Sequence, residues 1–142
     1  MPNRTLAMVM YISRSAPTTS RPDVEKVVAA ARRNNELRRV TGAMMWTGRY
    51  FVQVLEGELP AVIATHKLIT QDTRHHAMKV LFQGELESRN FSRWSMAFVD
   101  RPDADHLIEP LIEGIQDAES FRALRRMLFD LAMSQDPGGD RH

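Results

Sequence analysis

Residues 40–57 read VTGAMMWTGRYFVQVLEG. Two apolar runs, Val40–Trp46 and Tyr50–Leu55, flank Thr47-Gly48-Arg49, a hairpin-length link containing a glycine. In the second run Phe51, Gln53 and Leu55 fall on one face of a strand, and Val52 and Val54 on the other. A polar Gln53 between two large apolar neighbours is the first irregularity. Gly57 is expected to close this strand.

Working outward from the hairpin, Thr5–Ser13 (TLAMVMYIS) is almost continuously apolar and reads as a central strand covered on both faces. Leu6, Met8, Met10 and Ile12 then point one way, and Ala7, Val9, Tyr11 and Ser13 the other. Residues 14–22 form a loop with two prolines. Ser20-Arg-Pro-Asp23 resembles a capping box and opens a helix whose stripe is Val24, Val27, Val28 and Ala31. That helix is expected to end near Asn34-Asn35. Downstream of the hairpin, Pro60–Thr70 reads as a second helix with Val62, Ile63 and Ile69 as apolar positions. Asp72-Thr-Arg-His75 follows, then strand-like segments Met78–Leu86 and Phe91–Val99.

The order is β-α-β-β-α-β-β: an α+β, ferredoxin-like sheet with two helices on one face. Two helices are expected after Arg101-Pro102-Asp103, at about 104–115 and 119–133. The first carries Leu107, Ile108, Leu111, Ile112 and Ile115, and the second Phe121, Leu124, Leu128 and Leu131. Strands apolar on both sides need a second cover, so these helices are expected to take the other face, with a dimer seam as the rival account. Residues 1–100 read as one domain and 101–142 as a C-terminal helical extension, with a frayed tail from Ser134 to His142.

The 142 residues suit one domain plus a short appendage. Hydrophobic residues make up 43% and charged residues 26%, which excludes wholesale disorder. Lys+Arg 19 against Asp+Glu 18 gives a net charge of +1, so bulk charge advertises neither nucleic acid nor a membrane surface. The absence of cysteine removes disulfides, thiol catalysis and Cys-ligated metals. No apolar run approaches the roughly 18–20 residues of a membrane span, and the N-terminus lacks a signal-peptide pattern. A cytoplasmic location is the expectation.

Motifs for catalysis are missing. The five histidines sit in no HExxH or H-x-E setting, and no Gly-x-Ser-x-Gly elbow, phosphate loop or GxGxxG occurs. His75-His76 are adjacent and would diverge on a strand, so no metal site is expected. Arg32-Arg33 and Arg38-Arg39 read as charge at a helix C-terminus rather than a nucleic-acid patch. What remains is a polar set in apolar surroundings: Tyr11, Gln53, Asn34 and Asn35, with Trp94 and Met96 on one face of the last strand. Singly, these are a core tyrosine, a strand bulge and a helix cap. Together they suit a planar polar ligand between helices and sheet, since a phenol and carboxamides can all trade hydrogen bonds.

Tyr11–Ser13 (YIS), Asn34-Asn35 with Val40-Thr-Gly42, Phe51-Val-Gln53-Val-Leu55-Glu-Gly57, Asp72-Thr-Arg74-His75 and Arg89-Asn-Phe91-Ser-Arg-Trp94-Ser-Met96 together resemble BLUF domains, blue-light sensors that use flavin. The resemblance runs from about Leu6 to Phe98. It implies FAD as the non-covalent cofactor, with FMN not distinguished by any residue. It implies that Tyr11 is the electron and proton donor to the excited flavin. Gln53 would bridge that tyrosine to N5 and the C4 carbonyl, and Asn35 would bond the C4 carbonyl and N3 region. Asn34 would help hold the polar edge, Val27 and Ile69 would sandwich the ring, and Ser13 would lie near the tyrosine. Asp72, Arg74 and His75 would hold the pyrimidine edge and ribityl side.

By the same resemblance, Trp94 and Met96 would relay the signal to the C-terminal helices, and which of the two faces the flavin stays open. Leu68 stands where some relatives carry a basic residue, and Val27 is smaller than the usual aliphatic. Rearranged hydrogen bonds around Gln53 would strengthen the bond to the C4 carbonyl and shift absorption to the red. The expectation is a photoreceptor without enzymatic output of its own, acting through a downstream protein partner or a homo-oligomer. The alternatives are a ferredoxin-like ligand-binding or interaction module without photochemistry, and a flavin redox enzyme. No hydride-donor or open substrate face in the sequence favours the latter.

Overall fold

The computed structural model describes residues 5–114 and 118–134. Five strands form one sheet in the order β4-β1-β3-β2-β5: β1 Leu6–Ser15, β2 Thr41–Trp46, β3 Tyr50–Glu58, β4 His75–Leu86 and β5 Ala97–Asp100. Neighbours pair antiparallel except β5, which runs parallel to β2 at the edge. Helices α1 (Arg21–Arg38) and α2 (Leu59–Thr70) supply the crossovers. This is the ferredoxin-like arrangement plus one strand, as the sequence order implies.

The alternation along β1 and β3 sorts the core into two. Met8, Met10, Ile12, Val52 and Val54 join a cluster with residues of the C-terminal helices α3 (Asp105–Ile112) and α4 (Ala118–Met133). Val9, Tyr11, Phe51 and Leu55 join the cluster under α1 and α2. The second face is thus covered by α3 and α4, through Ile108, Leu111, Leu124 and Leu128. A 3-10 turn, Pro102–Ala104, leads into α3, which ends at Ile112, before the expected 115. Lys79 Nζ donates to the Leu111 carbonyl at 2.9 Å, satisfying part of that helix end. Ile115, and the expected frayed tail beyond Ser134, lie outside the described residues.

Several boundaries differ from expectation for local reasons. The capping box is present: Asp23 N–H donates to Ser20 Oγ and Ser20 N–H to the Asp23 carboxylate. However, α1 continues past Asn34-Asn35 to Arg38. The left-handed cap falls to Arg39 (φ 57), whose N–H returns to the carbonyls of Asn35 and Glu36. Asn35 is buried, its amide spent on a distant carbonyl rather than on its own helix end. Gly57 does not stop β3; it pairs with Ala7 and the strand runs to Glu58. A Cβ there would meet the Arg39 carbonyl oxygen at 3.3 Å, so the glycine permits a close approach rather than a turn. In α2, Val62 and Thr65 are buried while Ile63 is 58% exposed.

The largest correction concerns the last strand. Only Ala97–Asp100 is paired; Phe91–Met96 is turn and bend. Trp94 and Met96 therefore precede the strand, and they do not share a face. Trp94 lies in the cluster with α3 and α4, and Met96 in the cluster with Tyr11.

Gly42 is held where β2 crosses β3: a Cβ there would run into the Val54 backbone carbonyl. Gly42→Ala is expected to cost more than the ~1–3 kcal/mol of ordinary overpacking, because backbone cannot yield as a side chain does. Gly57→Ala should fall within that range. Denaturant unfolding of the two variants beside the parent measures the difference.

Candidate functional site

The β1–β3 register sets Tyr11 directly opposite Gln53, and the β2–β3 register sets Met44 opposite Gln53 on the other side. Directly opposed residues share a face. The row Tyr11–Gln53–Met44 therefore lies under α1 and α2, in the middle of the sheet. Tyr11 is 1% exposed and Gln53 3%. The Tyr11 hydroxyl donates to Gln53 Oε1. The other end of the amide, Nε2, points to Met96 Sδ at 3.9 Å, a weak acceptor. Each end of the glutamine thus has a distinct neighbour.

Burial, and secondarily the carboxylate of Asp72, hold the Tyr11 pKa well above its ordinary 10.0. The phenol keeps its proton at any physiological pH. His66, on α2, sets its ring 5.3 Å from that of Tyr11, and its buried Nε2 has no hydrogen-bond partner among the described residues. Burial pushes its pKa below the ordinary 6.5.

Beside the Tyr11–Gln53 pair a slot opens between α1 and α2. Val27 and Ala31 line it from α1, Ile69 from α2, and Met44 and Phe51 from the sheet. Asp72, Arg74 and His75 form its polar end. Asp72 accepts from Arg74 N–H at 2.9 Å and from the Arg74 guanidinium at 3.2 Å, so the turn arrives with its charges arranged. His75 Nε2 lies 2.8 Å from the Ile69 carbonyl, which can only accept, so that nitrogen carries the proton. In the neutral ring Nδ1 is then the acceptor, and Ser13 Oγ–H donates to it at 2.7 Å.

Seven of the residues singled out from sequence thus line one slot: Tyr11, Gln53, Val27, Ile69, Asp72, Arg74 and His75. Ser13 stands behind His75. Asn35 is buried on α1, one turn after the slot-lining Ala31 but not itself among the lining residues, and donates through Nδ2 to the Ser95 carbonyl at 2.7 Å. Asn34 is exposed on α1 and is not brought to the slot. Met96 reaches the pair, whereas Trp94 is on the opposite face of the sheet.

The segment before β5 is clamped residue by residue. Glu56, buried on β3, accepts from the N–H groups of Asn90 (2.8 Å) and Phe91 (2.7 Å). Gly42 N–H donates to the Trp94 carbonyl, Asn35 to that of Ser95, and Arg32 Nε to that of Met96 at 3.0 Å. Neither His66 nor Arg32 stands out in the sequence. His66 is one helical turn before Ile69, a spacing that would have placed it on the inward face of α2. Arg32 reads as helix-end charge, and only the fold brings Met96 to it.

Residues 6–97 match the family model described as BLUF, sensors of blue-light using FAD. The chain belongs to the BLUF family. It is 32% identical over 93 residues to the photoactivated adenylate cyclase subunit beta of Euglena gracilis, covering 65% of this chain and 11% of that protein. It is 30% identical over 95 residues to the blue light- and temperature-regulated antirepressor BluF of Escherichia coli (strain K12), covering 67% of this chain and 24% of that protein. The BLUF chain therefore spans only a small part of these curated relatives. Its fold superposes on the dark-state structure of BlrB, a BLUF protein, with a TM-score of 0.77 and 27% identity, over 94% of this chain and 99% of that one.

A flavin is the group this family takes, and the residues present suit it. Val27 and Ile69 offer the slot apolar surface, and Gln53, Asp72, Arg74 and His75 offer it polar groups, which is the lining a flat ring with apolar faces and a polar edge calls for. Among the described residues no grouping of His, Asp or Glu could hold a metal ion, and no helix is long and apolar enough to cross a membrane.

His66 gives the fold a pH signature. Because its folded-state pKa lies below 6.5, the unfolded chain takes up this proton first as pH falls. The contribution is intact above the unfolded value and is lost on acidification below it. His66→Gln removes that dependence, so its melting temperature should fall less than the parent's between neutral and mildly acidic pH. Equal falls in thermal melts would take His66 out of the account.

Proposed function

We propose that this BLUF chain is a blue-light receptor for which FAD is the chromophore and Gln53 the switch. The single observation that carries the reading is the buried Tyr11 hydroxyl donating to Gln53 Oε1 beside the slot. A bound flavin supplies the absorption of blue light and, when excited, a strong one-electron oxidant. Tyr11, which lines the slot, would be the donor. Its raised pKa keeps it protonated in the dark, so loss of an electron must carry the proton with it. Gln53 Oε1 already accepts a hydrogen bond from that proton, so the amide would take it up at Oε1 and release one from Nε2 toward the reduced acceptor, leaving no net charge on the glutamine.

When the phenol is restored, the amide can settle with its nitrogen end toward Tyr11, by rotation or tautomerisation. A group with one donor end and one acceptor end has two distinct states, which is what a switch requires. Asn35, held by the Ser95 carbonyl, is assigned to the ring's polar edge, with Asp72, Arg74 and His75 along the ribityl side. Val27 and Ile69 would cover the two faces of the ring. Asn34, exposed, is left with at most an edge contact.

The relay leaves through Met96. Its sulfur faces the Gln53 amide, and two residues earlier Trp94 is packed against the C-terminal helices. We divide the chain accordingly: residues 1–100 sense, and the extension 101–142 receives the change on the far face. The reading is of a cytoplasmic sensor in which residues 101–142 relay the change rather than catalyse a reaction. Its output would pass through a downstream protein or through a second copy of this chain. Size-exclusion chromatography with multi-angle scattering, dark and lit, reads whether assembly depends on light.

Tyr11→Phe should keep the bound flavin and abolish the reversible red shift under blue light. Gln53→Leu should do the same, and a normal photocycle in that variant would remove the switch. Asn35→Ala should weaken flavin binding and disturb the spectrum; unchanged binding would withdraw it from the site. Absorption spectroscopy of purified protein, dark and illuminated, reads all three.

A further inference from the structure

On the face of the sheet away from the flavin slot, a cleft of about 420 Å³ lies between α4 and strands β1 and β3. That volume is within the roughly 300–1,000 Å³ range of small-molecule pockets. Its apolar side is Met8, Phe91 and Phe129, the two rings meeting edge to face at 5.8 Å and 65°. Its rim is Arg122, Arg125 and Arg126, which sit at i, i+3 and i+4 and so share one side of α4. Asp130 also lines it and pairs with Arg126 at 3.6 Å. Arg122 and Arg125 meet no carboxylate among the described residues. Three arginines less one aspartate leave two positive charges at the mouth of an aromatic hollow.

We infer that this cleft is a second ligand site, for a small amphipathic organic anion with an apolar body and a carboxylate, sulfonate or phosphate head. Exposed arginines on a helix ordinarily serve solubility alone. Here they stand over a concave apolar floor, and like charges one turn apart repel unless an anion lies between them. A guanidinium presents a planar fork that matches an acid group with two parallel hydrogen bonds. The floor is fixed rather than loose, because Glu56 holds the N–H groups of both Asn90 and Phe91. An apolar body would cover Phe129, which is left 37% exposed.

The test uses the full chain with flavin bound, kept dark, and isothermal titration calorimetry with two probes sharing one ring system. They are 8-anilinonaphthalene-1-sulfonate, an anion, and N-phenyl-1-naphthylamine, neutral. The anion should bind at least about tenfold more tightly, a difference of ~1.4 kcal/mol. The double variant R122Q/R125Q should lose that preference while still binding the neutral probe. Phe129→Ala should weaken both, and added salt only the anion. An unchanged flavin spectrum certifies the fold of each variant and keeps this test separate from the photochemical reading. Equal affinity for the two probes, or an anion affinity untouched by R122Q/R125Q, overturns the site.

Discussion

The pairing of Tyr11 with Gln53 depends on register before it depends on chemistry. In an antiparallel ladder a slip of one residue moves every side chain to the opposite face. Such a slip between β1 and β3 would leave the phenol under α1 and α2 and send the amide under α4. The apolar clusters on the two faces prevent it. Met8, Met10 and Ile12 must meet Val52 and Val54 on one side, while Val9 and Tyr11 meet Phe51 and Leu55 on the other. Two independent hydrophobic faces therefore fix a single polar contact, and the tight crossing at Gly42 fixes β2 against the same strand.

The covering of both faces also decides how a local change could travel. A sheet with one wet face would let a disturbance at Gln53 dissipate into water. Here the segment before β5 passes from one core to the other within three residues, with Met96 in the first and Trp94 in the second. Its carbonyls and N–H groups are held by side chains of α1 and β3 and by the backbone of β2. The neutral bonds among them are individually worth about 1 kcal/mol, so those to the Trp94 and Ser95 carbonyls can be exchanged one at a time without unfolding the sheet, while the Glu56 carboxylate holds its two N–H groups more firmly. A longer, fully paired last strand would be too stiff for that.

Much of this was legible in the sequence because it follows from periodicity. The alternation in Phe51–Leu55 assigned Gln53 to its face, and the apolar run of Thr5–Ser13 required a second cover, which α3 and α4 provide. What escaped depends on contacts between distant segments. Asn34-Asn35 reads as a helix end because asparagine caps helices well. Nothing local says that Asn35 is committed to Ser95, some sixty residues away. Phe91–Val99 reads as a strand because its composition suits one. The buried Glu56, which captures the N–H of Phe91 and that of the preceding Asn90 and withdraws them from any ladder, sits on another strand.

Glu56 deserves comparison with Gln53, three residues earlier on β3 and so on the opposite face. Both are polar groups buried in apolar surroundings, and burial without partners would cost each about 1–3 kcal/mol or more. Glu56 is met by backbone donors that have no alternative, so its bonds are static. Gln53 is met by a phenol that can donate or accept and by a thioether that accepts weakly. Turning its amide over would let Nε2 donate to the phenol oxygen, while Oε1 would face a sulfur with no proton to give, so the two states differ in which end of the amide is satisfied. The same strand thus carries one polar anchor that cannot move and one that can. The difference lies in the chemistry of their neighbours rather than in their burial.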